Sequence, residues 1–353
     1  MFQYRFCCMA SLLVVLALSA CAPSAPQETQ RFFFPPPPVE PKIEYLKGYF
    51  SDRDLKPEGK SLLDEYVLGE SRPKALFMTP VDVASDGEGR VFVADSGARQ
   101  VVVLDLPKHS HRLLASGMQH SFGLPYSVTF ADDRRLYVSD VVTNRVDVFD
   151  DAEQYLFSIE NPGLERPTAV AVDKQHGVIY VVDTPNHRLA RFDLQGELLD
   201  FFGERGNGPG QFNFPVDVDV DEHGHFYVLD SLNARVQVFD ETGAFLRMFG
   251  ERGTADGSFG MPKNLTVSSF GHVYVTDALA HKVVVFNREG ELLLRIGGKS
   301  VVKKGISPGG FYLPRGIDAD AAGGVWVVDS LNRMVHNFQF LTPQYLREHP
   351  ILQ

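Results

Sequence analysis

Three aspartates alternate with valines in Asp217-Val218-Asp219-Val220-Asp221, and strand periodicity puts their side chains on one side of the chain. Asp217 and Asp219, together with Asp318 two repeats away, offer the oxygen donors that a channel cation such as Ca²⁺ prefers. This is not a helix–loop–helix calcium loop, because Glu222 stands where glycine is required and Val228 where the closing ligand belongs. A second donor set is nitrogen. His176, His223, His225 and His272 fall in or beside the first hairpin turns of three consecutive repeats, where they would suit Zn²⁺, copper or a haem edge. Both sets have plainer readings, as hydrogen-bonded structural carboxylates and as exposed turn histidines. The chain carries no Gly-x-Ser-x-Gly elbow, no His-Glu-x-x-His, no phosphate loop and no Cys-x-x-Cys-His.

The elements that must position these groups recur six times. Copies end at Asp95, Asp140, Asp183, Asp230, Asp277 and Asp329, at spacings of 45, 43, 47, 47 and 52 residues. Each Asp is preceded at three residues by a ring (Phe92, Tyr137, Tyr180, Tyr227, Tyr274, Trp326). It is followed at nine residues by a large apolar side chain (Leu104, Phe149, Phe192, Phe239, Phe286, Phe338), and a proline opens each copy. Within a copy, β-branched and aromatic runs bounded by Gly, Asn, Asp and Pro read as four strands. Four strands per copy is one propeller blade, so the predicted fold is all-β: a six-bladed β-propeller of four-stranded antiparallel blades. The last copy lacks its fourth strand. Ile43-Glu44-Tyr45-Leu46 has the pattern to supply it and to close the ring.

Asp230-Ser-Leu-Asn-Ala-Arg-Val-Gln-Val-Phe-Asp240, with Gly203-Glu-Arg-Gly-Asn-Gly-Pro-Gly-Gln-Phe-Asn-Phe-Pro215 before it, closely resembles the NHL repeat. The resemblance covers about residues 75 to 340 and implies the propeller. It leaves function open, since that family includes RNA binders, protein-interaction domains, receptor-like ectodomains and a few lyases or hydrolases. Lyases resembling this family hold zinc with channel histidines, and the inner strands here carry none.

Residues 1–20 read as a signal peptide: Arg5, an apolar stretch too short to span a bilayer, then small residues. Leu18-Ser19-Ala20-Cys21 resembles a bacterial lipobox, which implies cleavage before Cys21 and a diacylglyceryl, acylated cysteine. By the same analogy Ala22, not being Asp, implies sorting to the outer membrane. Cys7 and Cys8 would leave with the signal, so no thiol remains for a disulfide or a metal cluster. Residues 21–42 are expected to form a tether stiffened by Pro35–Pro38, with Phe32, Phe33 and Phe34 on the propeller flank or on lipid. A short helix is expected at 60–68, the propeller over 43–341, and a tail with a brief helix over 342–353.

Chain direction fixes two faces. The proline loops and the turns after each Asp share one, here called the proline face; the first hairpin turns of the blades lie on the other, the turn face. Near the axis the proline face is expected to collect Asp82, Ser127, Asp217, Asn264 and Arg315. Farther out come Arg99, Arg145, Arg188, Arg235, Lys282 and Arg333, four or five residues after the repeated Asp. The plain reading has each Asp capping its turn and pairing with a neighbouring blade's Arg; the functional reading is a polar bowl for a protein or extended ligand. A net charge of −11, from 45 acidic and 34 basic residues, argues against nucleic acid. The sequence thus points to a monomeric, lipid-anchored binding or scaffold propeller of the cell envelope. A lactonase- or lyase-type enzyme with a channel cation and a metal or small-ligand sensor are the alternatives.

Overall fold

The computed structural model describes residues 30–57, 72–114, 121–301 and 307–351. The signal segment, Cys21, the first part of the tether and the helix expected at 60–68 lie outside the described residues. The remaining chain forms the expected six blades, and Phe32–Gln353 is one compact unit. From the axis outward, blade 3 runs Pro167–Asp173, Val178–Asp183, Arg188–Asp193 and Leu198–Phe202, every neighbour antiparallel. The other inner strands are Pro80–Ser85, Pro125–Phe130, Pro215–Val220, Pro262–Val267 and Pro314–Ala319.

Blade 6 is completed from the N-terminal side. Ile43–Tyr49 pairs antiparallel with Met334–Phe340, with Ile43 opposite Phe340 and Tyr49 opposite Val335. Phe32–Phe34 adds a fifth strand, so the three phenylalanines lie on the propeller flank. The prolines do not form an extended stalk. Pro35–Pro38 lie in the connection that returns the chain from Phe34 to Ile43, which the Lys42 N–H closes by donating to the Phe34 carbonyl at 2.9 Å. A helix, Pro343–Glu348, follows the last blade, with the Thr342 hydroxyl accepting from the Tyr345 N–H.

The repeated rings and apolar residues form the seams between blades. Tyr137, Tyr180, Tyr227 and Tyr274 are buried, as are Phe149, Phe192, Phe239 and Phe286. Tyr180 of blade 3 stacks on Phe226 of blade 4 at 4.8 Å between ring centres, and Phe226 stacks on Phe239 at 5.0 Å. Each ring so buried contributes about 2–3 kcal/mol of transfer free energy. A substitution in one copy therefore loosens two blades.

Candidate functional site

Each blade's innermost strand has one edge with no strand beside it, because the blades diverge around the axis. Its backbone groups still need partners. The inner strands supply them blade to blade through side chains. The Asp82 carboxylate accepts the Val128 N–H at 3.0 Å, Thr129 Oγ1 donates to the Val170 carbonyl at 2.7 Å, and Thr168 Oγ1 donates to the Val216 carbonyl at 3.0 Å. Asp217 accepts the Leu265 N–H at 2.5 Å, Asn264 Oδ1 accepts the Ile317 N–H at 2.8 Å, and Asp318 accepts the Ser85 N–H at 2.7 Å. That circuit joins all six blades. Asp219 adds a second link, accepting the Val267 N–H at 2.7 Å.

Burial dominates the protonation of these carboxyls. Desolvation raises Asp82 to about 7 and Asp219 to about 6, against backbone hydrogen bonds that pull the other way. Burial first, then the neighbouring charges of Asp320, Asp219 and Asp82, raises Asp318 to about 8, and Asp217 is also pushed well above the ordinary carboxylate range. The folded chain thus holds protons that the unfolded chain releases above about pH 4. These groups make stability fall as pH rises from about 4 to 8 and level off beyond. Asp318→Asn keeps an acceptor for Ser85 without the charge. It is expected to leave stability unchanged near pH 3 and raise it by roughly 2 kcal/mol near pH 9, less than the full shift because an open funnel reaches this side chain. Urea unfolding across pH tests this, and parallel wild-type and variant profiles would contradict it.

The two mouths of the channel differ in width. On the proline face Arg315 donates to the Tyr126 hydroxyl at 2.8 Å and lies 5.1 Å from its ring centre, beside Lys263. Only about 10 Å³ of open space remains there. On the turn face a funnel of about 540 Å³ opens, with Asp132, Asp173, Asp221, Glu222 and Lys174 in its wall and Asp219 and Asp318 toward the channel. The widest cavity described therefore lies on the face opposite the expected bowl. Of its wall residues, Asp132 and Asp173 carry none of the motifs named above, and Glu222 stands out in the sequence only as the residue that breaks a calcium loop. A signal was present for Asp173 alone: the sixth residue after the blade proline is Asp86, Asp173, Asp221 and Asp320 in four of the copies, whereas Asp132 and Glu222 stand one residue later.

The structure disperses the expected bowl. Ser127 is buried, its N–H bonded to Ser139 Oγ at 3.0 Å. Asp82, Asp217 and Asn264 serve the inter-blade circuit. Arg188 and Arg235 do not reach a neighbouring blade's Asp. Each pairs with the repeat Asp of its own blade at 2.9 Å (Asp183 and Asp230), because Asp and Arg face each other across the same turn. Arg145 turns to Asp147 at 2.9 Å, and the Lys282 ammonium donates to the carbonyls of Ala255, Asp256 and Ser258. Arg99 and Arg333, both at φ 55°, remain exposed.

Among the described residues, no three His, Cys, Asp or Glu side chains gather as a metal-binding group. Asp217, Asp219 and Asp318 each spend an oxygen on a backbone N–H. His176 is held by Asp173 at 2.6 Å and His225 by Asp221 at 3.3 Å, while His223 lies 3.3 Å from Arg288. His272 packs on Phe340, ring centres 4.6 Å apart, so the fourth member of the histidine set faces blade 6.

Six four-stranded blades around an axial channel, latched side chain to backbone, define a β-propeller. The family described as the NHL repeat matches residues 164–192 and 212–239, in blades 3 and 4. The chain is a six-bladed β-propeller with NHL repeats in blades 3 and 4. It is similar to a structural genomics protein of unknown function from Bacteroides thetaiotaomicron, at TM-score 0.60 and 19% identity, over 75% of this chain and 70% of that one. A catalytically inactive virginiamycin B lyase from Staphylococcus aureus, crystallised with quinupristin, is similar at TM-score 0.55 and 12% identity, over 75% and 96% of the two chains. Both likenesses are of fold. A curated relative, the peptidylglycine alpha-amidating monooxygenase of Rattus norvegicus, is 25% identical over 215 residues, 54% of this chain. The match spans 22% of that protein's length.

Proposed function

We propose that the chain is an exported recognition propeller of the cell envelope, lipid-anchored through Cys21 after removal of residues 1–20, and that its turn-face funnel receives a cationic, extended segment of a partner protein. Repeat propellers of this kind commonly bind proteins. The observation that carries the reading is the funnel of about 540 Å³, whose wall holds several carboxylates and a single lysine. A cleft of one sign concentrates ligands of the other and speeds their arrival. Its size suits a peptide side chain or two.

Asp132 and Glu222 are exposed in the wall, outside the inter-blade circuit. Asp132→Asn with Glu222→Gln is expected to weaken binding of a lysine-rich peptide about tenfold, the equivalent of about 1.4 kcal/mol, while the half-exposed Glu222–Arg288 pair that the second change breaks costs no more than about 1 kcal/mol of stability. Affinity should also fall as salt rises. Equilibrium titration against basic and acidic peptides of equal length decides the matter. Equal affinity for the two would refute the funnel reading, and capture from crosslinked native membranes would then identify what else is bound.

A further inference from the structure

We propose that the proline face lies on an anionic lipid surface, leaving the turn-face funnel open to solvent. The second residue after the repeated Asp is apolar and exposed in four blades: Val142 (63%), Leu232 (51%), Leu279 (64%) and Leu331 (53%). Repeat symmetry sets these residues in a crown around the narrow mouth. Their backbones are fixed, since the Leu232 N–H donates to the Asn213 carbonyl at 3.1 Å and the Leu331 N–H to the Tyr312 carbonyl at 3.2 Å. Met78, 57% exposed, extends the crown in the loop before blade 1. An exposed aliphatic ring on a preorganised platform calls for an apolar phase that covers it.

Charge identifies that phase. The chain carries −11 overall, yet Arg99, Arg166 and Arg333 stand exposed on the proline face and form no ion pair among the described residues. Other arginines are paired on both faces, Arg188 with Asp183 and Arg235 with Asp230 on the proline face, and Arg90 and Arg134 with Asp151 and Arg288 with Glu222 on the turn face. Aliphatic side chains flanked by three unpaired arginines, with Glu165 the exposed carboxylate beside Arg166, match the boundary of an anionic bilayer, where headgroups take the cations and the acyl region takes the crown. Chain direction agrees. Phe32–Phe34 runs antiparallel to Ile43–Tyr49, so its N-terminal end faces the proline side. Ten residues separate Cys21 from Phe32, a reach of about 30 Å when extended.

The inference rests on the anchor reading only for what brings the face to the membrane, and the test separates the two. The full chain is reconstituted in vesicles of phosphatidylethanolamine and phosphatidylglycerol. Leu232→Cys, Leu279→Cys and the turn-face control Ser269→Cys carry a polarity-sensitive fluorophore, and a lipid-borne nitroxide serves as quencher. The two crown labels should be strongly quenched and blue-shifted, and the Ser269 label should be neither. Reversing Arg99, Arg166 and Arg333 to Glu should cut the ratio of membrane-engaged to disengaged propeller about fivefold for each basic residue lost. Labelling of the chain with no added cysteine would report a free native thiol and overturn the anchor alone. Crown labels as water-exposed as the control would overturn the proposal. So would crown labels shielded by an added protein and not by lipid, which would give this face to a protein partner.

Discussion

Chains carrying Ile43→Asp and Tyr45→Ser are expected to lose the closed ring and populate open, self-associating forms. Ile43 and Tyr45 belong to the seam with Tyr274, Val283, Phe311 and Phe338, and each is less than one-tenth exposed. Burying one such side chain contributes about 1.5–3 kcal/mol, and placing a carboxylate at Ile43 adds a desolvation cost of several kcal/mol more. The sum is comparable with the 5–15 kcal/mol that separates most folded domains from their unfolded chains. The consequence is also geometric. Without its partner, Met334–Phe340 offers an open edge of paired-strand length, the template on which chains add to one another. Sedimentation and denaturant unfolding should show oligomers and a lost or strongly shifted transition. A monomer with an unchanged midpoint would mean that five complete blades and a partial sixth suffice.

Asp230→Ala is expected to cost about 3–5 kcal/mol, the range for removing one partner of a buried ion pair. The Asp230 carboxylate is fully buried and accepts from the Asn213 N–H at 2.7 Å, Asn233 Nδ2 at 2.8 Å and Arg235 Nε at 2.9 Å. Its loss leaves the Arg235 guanidinium buried without a counter-charge, held by the carbonyls of Asn207, Gly208 and Gln211 and the Met248 sulfur. Blade 1 supplies the internal comparison. Asp95 accepts the N–H groups of Met78, Thr79 and Ala98, and the residue facing it is Gln100. Asp95→Ala should therefore cost less, about 1–3 kcal/mol for stranded donors without a stranded charge. Equal losses at the two sites would show that the carboxylate acts through its turn alone, and that the arginine is incidental.

This pair of aspartates also shows how much was legible in the sequence. The recurrence of Asp, of the ring three residues before it and of the proline before both is local in the chain. A local pattern is enough to specify strands, turns and blade number. The missing fourth strand of the last copy was legible for the same reason, because an incomplete unit leaves an edge that must find a partner. The pairing of the basic column was not. An arginine five residues after an Asp has one neighbour across its own turn and another across the blade seam, and only packed geometry chooses between them. The stalk failed on similar grounds. Pro35–Pro38 have the composition of a stiff extended spacer, but Phe34 packs against Phe338, and that contact folds the segment back as a strand connection.

The sequence by itself determined a ring of six antiparallel blades, its N-terminal closure and the set of polar residues on its inner strands, since these follow from periodicity within each copy. The tertiary structure decided what those residues face. It turned the channel aspartates into latches between blades, spread the histidines over separate contacts, narrowed one mouth with Arg315 and Tyr126, and opened the other into an acidic funnel. The reason is that a side chain's partner across a blade seam lies some forty residues away in sequence. Its identity depends on the rotation between neighbouring blades, and no repeat motif records that rotation.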